Sequence, residues 1–381
     1  MLVFRSQFQI VLEVQKERVT YSMNAMKLEQ ELLLLAVLKS RTAEENSRLQ
    51  EISGNKLDWG WIGGQLLHHR LSGYFYFGLG ELRKQLLFKE FLIALELIVK
   101  AQSQQIRELN QLVRPVLQEF EERGLHYAAL KGLVFNANLY NLGERRSNDS
   151  DILVWENDLD MLDEILRKHG YIQTYMHNGE YKEATRKEKM IQRMNYHDLV
   201  PYVKIVDSPF LSKHEIDINF HFDSKDNDIT KAVLEYGTQI YAGELLEVRG
   251  LQWETHMAQL CIHFYREGTS SIWSSGRRDV VLYKLIDVAN TLRFVQDEQR
   301  LMDWAGKLKE WKLDKASYYT LYYIEQFYPN VVPEKLMSAL RPEDIGYLDE
   351  IAISGHNNII KRQVAFRDDA FNLQYQKRVG R

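Results

Sequence analysis

Two aspartates, Asp149 and Asp151, are the residues of this chain whose types and spacing most directly suggest chemistry. They begin the apolar segment SDILVW, which is typical of a strand, and side chains along a strand alternate with a period of two. Both carboxylates are therefore expected on one face. Magnesium prefers oxygen ligands, commonly one or two carboxylates together with substrate phosphate and water. The pair predicts a divalent-metal site, although a D-x-D pattern also occurs on solvated loops and strand edges.

A second group of residues, just before the aspartates, is suited to phosphate. Lys131 and Gly132 follow the apolar segment LHYAAL and precede a helical pattern. A glycine there lets backbone N–H groups approach a phosphate, and a helix N-terminus favours negative charge. Arg145 and Arg146 come shortly before the aspartates, and a guanidinium can hold a phosphate through two hydrogen bonds. The alternative interpretation is an exposed turn lysine followed by a solvated basic loop.

The segment HEIDINFHF at 214–222 offers a third carboxylate. Its apolar and polar residues alternate, which predicts a strand with one face in a core. The polar face must then meet either solvent or a site. Asp217 on that face could bind a catalytic metal and accept the proton of an acceptor hydroxyl as a general base. The alternative interpretation is an edge strand with a wet face.

The elements around these segments predict an α+β fold with a mixed-sheet core between two helical regions. Residues 125–225 read as mixed strand and helix, whereas 26–124 and 226–360 carry helical patterns. Residues 1–25 read as a peripheral N-terminal segment, and 361–381 as a polar tail. The core would thus hold all the candidate site residues.

Two stretches carry local expectations about their elements. Apolar residues recur at steps of three and four over 106–120, which predicts a long helix, and Pro115 inside it predicts a kink or a break. Residues 171–207 contain aromatic and β-branched stretches that favour further strands.

Residues with other reactive side chains have structural interpretations. His256 and His263 share one helix face and are expected to pack, although His263 could line the cleft. Lys284 and Asp287 are expected to form a structural pair on one helix. Cys261 lies in apolar surroundings and is expected to be a buried small hydrophobe.

Composition limits the class of protein. The 381 residues are 45% hydrophobic and 27% charged, as in ordinary globular proteins. The formal charge of -4 disfavours sequence-independent nucleic-acid binding, which needs a basic footprint. The single cysteine excludes an intrachain disulfide and a multi-cysteine zinc site. No apolar run approaches the ~20 residues that span a bilayer, so we expect a cytoplasmic protein that does not enter membranes.

The order of the central motifs resembles a known family. LKG at 130–132, LY at 139–140, R-x-x-x-D-x-D at 145–151 and IDI at 216–218 are similar to the uncharacterised nucleotidyltransferase family of the polymerase-beta-type nucleotidyltransferase superfamily. The likeness extends to helical segments on both sides and covers most of 26–325. It implies a mixed-sheet nucleotidyltransferase core flanked by N- and C-terminal helical regions.

The resemblance also implies roles for individual residues. Asp149, Asp151 and Asp217 would be the catalytic metal ligands. The residues on the nucleotide phosphates would be Lys131, Gly132 and Arg145. Two positions depart from the wider pattern: Leu133 stands where better-known relatives carry the serine of a Gly-Ser signature, and Asn219 stands where the family often has histidine.

The expected reaction transfers a nucleoside monophosphate from an NTP to an acceptor hydroxyl, with two Mg²⁺ ions and release of pyrophosphate. The acceptor is expected to be a small molecule, a peptide or a protein, while a nucleic acid is disfavoured. One alternative is a nucleotide-binding or regulatory protein that keeps the fold without turnover. Another is a phosphotransferase that moves the γ-phosphate, which is disfavoured because no Gly-rich kinase loop or P-loop motif is present.

Overall fold

The computed structural model describes residues 26–177, 179–223, 228–295, 297–353 and 358–373. The predicted peripheral segment 1–25 lies outside these residues. The described chain is α+β, with one large mixed sheet and helices around it, which confirms the predicted fold class. None of its helices combines the length and apolar character needed to cross a bilayer.

Helices come before the first strand, as predicted for 26–124. They are α1 (Leu28–Ala36), α2 (Ala43–Ser53), α3 (Trp59–His68), α4 (Ser72–Gly78), α5 (Arg83–Leu86) and α6 (Lys89–Glu122). Pro115 lies within α6, so the chain does not break there. Val113, Val116 and Leu117 are buried on both sides of the proline, and this packing holds the helix together.

The sheet is assembled from strands that are far apart in the sequence. Its strands are β1 (Tyr127–Ala129), β2 (Ser150–Val154), β3 (Ile172–His177), β4 (Glu180–Glu183), β5 (Tyr202–Ile205), β6 (Lys213–Asn219), β7 (Thr238–Ala242) and β8 (Glu247–Leu251). They are arranged in the order β4-β3-β5-β6-β2-β1-β8-β7. The neighbours β2 and β6 are parallel, as are β1 and β8, whereas the other pairs are antiparallel.

Four helices connect the strands: α7 (Lys131–Asn138), α8 (Leu159–Lys168), α9 (Arg186–Tyr196) and α10 (Thr230–Tyr236). The strands predicted at LHYAAL, SDILVW and HEIDINFHF are confirmed. The further strands expected within 171–207 are confirmed as β3 and β5, and α9 lies between them. Thr185 caps α9 and exchanges hydrogen bonds with Glu188, a capping box that the sequence pattern contains.

The boundary predicted at residue 225 also needs correction. Strands β7 and β8 belong to the same sheet, since β8 pairs with β1. The segment predicted as helical therefore contains two strands after α10, and β7 lies at the edge of the sheet. Its helices follow as α11 (Trp253–Gly268), α12 (Ser271–Ser275), α13 (Tyr283–Arg293), α14 (Glu298–Glu310), α15 (Asp314–Phe327) and α16 (Glu334–Leu340).

The chain then forms a small hairpin of β9 (Glu350–Ala352) and β10 (Ile359–Lys361), followed by α17 (Phe366–Ala370). The prediction of a polar tail from 361 onward is wrong for α17. Phe366, Ala370 and Phe371 are buried against the helical core, because three apolar residues at helical spacing can anchor a short terminal helix.

Strand β6 shows how the sheet faces its site. Ile216, Ile218 and Phe220 are buried in the core, as the alternation predicts. Asp217 and Asn219 point the other way and line a cavity between the sheet and the C-terminal helices. The polar face of this strand therefore meets a site.

Candidate functional site

The three candidate carboxylates come together at one cavity of about 500 Å³. In the parallel register of β2 and β6, Asp151 lies opposite Asp217. Asp149 immediately precedes β2 and lines the same cavity, as does Glu215 two residues before Asp217. The pairing of β2 with β6 thus brings together the carboxylates of two separate sequence motifs.

A buried hydrogen-bond chain joins the opposite face of these two strands. The Ser150 hydroxyl lies 3.0 Å from Nε2 of His214, and the Tyr171 hydroxyl lies 2.6 Å from Nδ1 of the same ring. All three side chains are fully buried. Burial lowers the pKa of His214 to about 3, so the ring is neutral and has one donor and one acceptor nitrogen. The chain ties β2 to β6 and thereby supports the relative position of the carboxylates.

The carboxylates repel one another within this cavity. Burial, and then the charge of Asp151, raise the pKa of Asp149 to about 6. Burial and the charges of Asp151 and Asp149 raise the pKa of Asp217 well above its ordinary value. Lys131 offsets part of this charge, since its ammonium lies 2.6 Å from Oδ1 of Asp151. The cluster as a whole favours a positive charge at its centre.

Lys131 and Gly132 form a tight turn into α7. Lys131 has a positive φ of 44°. A Cβ atom on Gly132 would lie 2.5 Å from the Ser147 hydroxyl and 3.2 Å from Nη1 of Arg145. The glycine is therefore needed for close approach of the loop before β2. Lys131 turns towards Asp151, so in this structure its charge serves the carboxylates, while contact with phosphate stays a prediction.

Arg145 is buried, and its guanidinium is held by a distant helix. Its Nε atom donates to Oδ2 of Asp287 at 2.9 Å, and Nη1 donates to Ser147 at 3.0 Å. The Tyr74 hydroxyl donates to the other oxygen of Asp287 at 2.8 Å. Arg145 lines the cavity, yet its strongest partner is this carboxylate. The predicted pairing of Lys284 with Asp287 is wrong, because Asp287 pairs with Arg145.

Besides Arg145, four arginines line the cavity, and the sequence motifs include only Arg146 of these. Arg266 forms an ion pair with Asp223, which leaves Arg70, Arg146 and Arg278. No carboxylate pairs with any of them among the residues that the structure describes. Arg70 lies over the Tyr283 ring at 5.5 Å, and Arg278 lies over Trp273 at 5.4 Å. These cations are available for an anionic ligand.

Arg70 and Arg278 carried no local signal in the sequence. Arg70 follows α3, whereas Arg278 follows α12 about two hundred residues later. Neither arginine belongs to one of the motifs that point to the site. Only the packing of both helical regions against the sheet brings them to the cavity.

The helical wall also contains a buried lysine. Lys284 forms an ion pair with Glu267, which lies one turn from His263 on α11. Burial, and then the charges of Lys131 and Arg70, lower the pKa of Lys284 to about 7. His263 lines the cavity, the position that the sequence analysis considered for it.

Two residues with structural interpretations are buried as expected. His256 packs against Phe135 with ring centroids 5.0 Å apart. Cys261 is fully buried, and burial raises the pKa of its thiol to about 12. Both predictions of a packing role are confirmed.

The chemistry of the carboxylate cluster fits a divalent cation. Asp149, Asp151 and Asp217 are hard oxygen donors on one cavity, and burial together with mutual repulsion raises the pKa of Asp149 and Asp217. The side chains are not drawn into a tight cage, since no group of three metal-binding side chains has the required geometry within the described part of the chain. Lys131 holds Asp151 instead. A metal ion would therefore have to compete with this ammonium.

Comparison with known proteins identifies the family of the chain. No curated protein matches the chain. A nucleotidyltransferase-like antigenic protein from Paracoccidioides brasiliensis is 11% identical, with a TM-score of 0.35 over 61% of this chain and 92% of its own, which is too distant to carry an argument. The model of the family described as "Uncharacterised nucleotidyltransferase" matches residues 55–329. Because this match spans more than half of the chain, the protein belongs to the uncharacterised nucleotidyltransferase family.

Proposed function

We propose that this protein transfers a nucleoside monophosphate from an NTP to an acceptor hydroxyl and releases pyrophosphate. One observation carries the proposal: the three carboxylates of β2 and β6 share a cavity with three arginines that lack a carboxylate partner among the described residues. Carboxylates and guanidiniums that line one cavity match the two charged parts of a metal-bound triphosphate. Family membership supports the same general chemistry.

The residues of the chain would then have distinct tasks. Arg278 binds and orients the triphosphate, which brings the α-phosphate to the carboxylates, while Arg70 and Arg146 are available for a second anionic group at the edge of the same cavity. Such positioning removes much of the entropic part of the barrier. Asp217 accepts the proton of the acceptor hydroxyl, because it lies opposite Asp151 on the cavity where that hydroxyl would meet the α-phosphate. Lys131 stabilises negative charge beside Asp151.

Asp149, Asp151 and Asp217 would hold Mg²⁺ ions, with two expected by resemblance to the family. When bound, the ions neutralise the triphosphate and activate the acceptor oxygen. Lys131 must then release Asp151, and its ammonium becomes free for a phosphate oxygen. This exchange reconciles the observed ion pair with the predicted phosphate contact.

The test is transfer of label from an α-labelled NTP, combined with measurement of pyrophosphate. We expect Asp149→Asn together with Asp151→Asn to lower transfer by at least about 100-fold, the scale on which lost electrostatic contacts lower kcat. A matched control changes the exposed aspartates Asp160 and Asp207 to Asn, and it should keep full activity. Full activity in the site variant would rule out the proposed metal ligands.

A second candidate function is nucleotide binding without turnover. The Lys131–Asp151 ion pair favours it, because this ammonium occupies the carboxylate that would bridge two metal ions. Calorimetry with NTP and Mg²⁺ would then give binding, while no labelled product would form with any acceptor. Release of a nucleoside diphosphate instead of pyrophosphate would indicate γ-phosphate transfer.

A further inference from the structure

A second cavity of about 300 Å³ opens beside the catalytic one. Its walls come from α3, from α6 and from the loop between β5 and β6. Leu67 on α3, Ile98 and Ala101 on α6, and Phe210 in the loop give it a mainly apolar lining. Regions far apart in the sequence thus build one apolar cavity next to the carboxylates.

The two cavities share Arg70 and Arg146 as lining residues. The pair therefore stands at the boundary between the apolar cavity and the catalytic one. Arg146 also precedes Asp149 by only three residues on the same loop. A ligand seated in the apolar cavity would meet positive charge at the end nearest the carboxylates.

The walls of this cavity are held in place, yet they expose apolar surface. The backbone N–H of Phe210 donates to Oε2 of the buried Glu108 at 3.1 Å, which fixes the loop on α6. The side chains of Leu67 and Phe210 are nevertheless 67% and 47% exposed. In addition, Oε1 of Gln102 is buried without a hydrogen-bond partner among the described residues. A ligand with an apolar body and a donor group would satisfy both features.

We propose that this cavity is the acceptor subsite of the reaction, an inference that rests on the proposed function. The acceptor is a small amphiphile with an apolar body, an anionic group held between Arg70 and Arg146, and a hydroxyl that reaches the carboxylates. The volume corresponds to about ten water-sized groups, which suits a chain or ring of that size.

The group transfer balances without a further reactant. The acceptor oxygen forms a bond to the α-phosphorus of the NTP, and the bond from that phosphorus to the bridging oxygen of the leaving pyrophosphate breaks. The hydroxyl proton passes to Asp217 and then to solvent. The products are pyrophosphate and a phosphodiester that links the amphiphile to the nucleoside.

Calorimetric titration with n-alkyl phosphates of increasing length tests the binding step. Because each buried methylene contributes about 0.8 kcal/mol, Kd should fall about fourfold per added carbon until the cavity is full. Inorganic phosphate should bind far more weakly, and an alkyltrimethylammonium ion of equal length should not compete. Equal affinity for inorganic phosphate and octyl phosphate would overturn the proposal.

Variants on α6 and α3 locate the binding site. Ala101→Phe fills the cavity and should abolish the dependence on chain length, whereas Ala94→Phe lies two turns away outside it and should retain the dependence. Leu67→Gln is a second variant at an exposed position that does not threaten folding, and it should weaken octyl phosphate by several-fold. Unchanged binding in both Ala101→Phe and Leu67→Gln would overturn the location.

Transfer from α-labelled ATP to 2-hydroxyethyl octyl phosphate tests the acceptor role, because this probe carries its hydroxyl on the opposite side of the phosphate from the octyl chain. Label in the alkyl product, lost in Ala101→Phe and kept in Ala94→Phe, supports the proposal. If pyrophosphate is released but the alkyl phosphate stays unlabelled, the acceptor assignment fails while the proposed function stands. If no pyrophosphate appears with any acceptor, the proposed function fails, and this inference fails with it.

Discussion

The buried pair of Arg145 and Asp287 yields a prediction that separates a structural role from a phosphate-binding role. Arg145 is 6% exposed and Asp287 is 1% exposed, so neither charge is solvated by water. Changing Asp287 to Asn removes the negative charge while it keeps one oxygen to accept from Tyr74. The arginine is then left buried and uncompensated.

The expected cost follows from the burial of this pair. Removing one partner of a buried ion pair costs about 3–5 kcal/mol, because the remaining charge has neither water nor a counter-ion. Since Asn preserves the Tyr74 hydrogen bond, we expect the lower end, about 3 kcal/mol for Asp287→Asn. That loss is a large part of the roughly 5–15 kcal/mol by which folded proteins are stable. Arg145→Met should cost a similar amount, since it leaves Asp287 unpaired.

These losses in the free energy of unfolding can be measured by urea unfolding of the native chain, both single variants and the double variant. The double variant carries no buried charge at this position, so it should lose clearly less free energy of unfolding than the sum of the single losses. Asp160→Asn, at an exposed position, is the control and should change the free energy by less than about 0.5 kcal/mol.

A different outcome would refute this reasoning. If both single variants unfold within about 0.5 kcal/mol of the native chain, the pair does not support the fold. If Arg145→Met also lowers NTP affinity without changing stability, then Arg145 is a phosphate ligand, as the family resemblance implies. Calorimetric binding of NTP to the folded variants distinguishes these cases.

Three further predictions concern the cavity and the helical core. Burial raises the pKa of Asp198 to about 6, so the free energy of unfolding should fall as pH rises from about 4 to 6, and Asp198→Asn should make that fall smaller in urea titrations at several pH values. In thermal unfolding, Gly132→Ala should destabilise the protein by about 1–3 kcal/mol, because the added Cβ meets Ser147. Gly306→Ala is the control: it lies in open space on α14 and should stabilise the protein by about 0.5–1 kcal/mol. Cys261 should react with a thiol reagent only upon unfolding, and rapid labelling of the native protein would contradict its burial.

Local patterns in the sequence were sufficient for the main elements of the site. The alternation of HEIDINFHF predicts which residues of β6 face the core and which face the cavity, because the period of two is a property of any strand. The D-x-D spacing likewise predicts that Asp149 and Asp151 share a face. The sequence also predicts the Lys131–Gly132 turn, since a glycine between a strand and a helix pattern is typical of a tight turn.

Features that depend on contacts between distant parts of the chain could not be predicted from local sequence patterns. Strands β7 and β8 are short and lie at one end of the sheet, and they become recognisable as strands only through the pairing of β8 with β1 and of β7 with β8. The buried counter-ion of Arg145 lies on α13, 142 residues further along the chain. Nothing near Arg145 in the sequence distinguishes a phosphate ligand from half of a buried pair.

The sequence by itself therefore determined the α+β class, the faces of the central strands and the three carboxylates offered to one site. Tertiary structure decided which cations remain available there, since Lys131 and Arg145 are paired while Arg70 and Arg278 face the cavity. It also created the apolar cavity beside them, from segments that no local pattern connects. The physical reason is that periodicity is fixed by the geometry of each element, whereas charge pairing and cavity shape depend on which elements pack together.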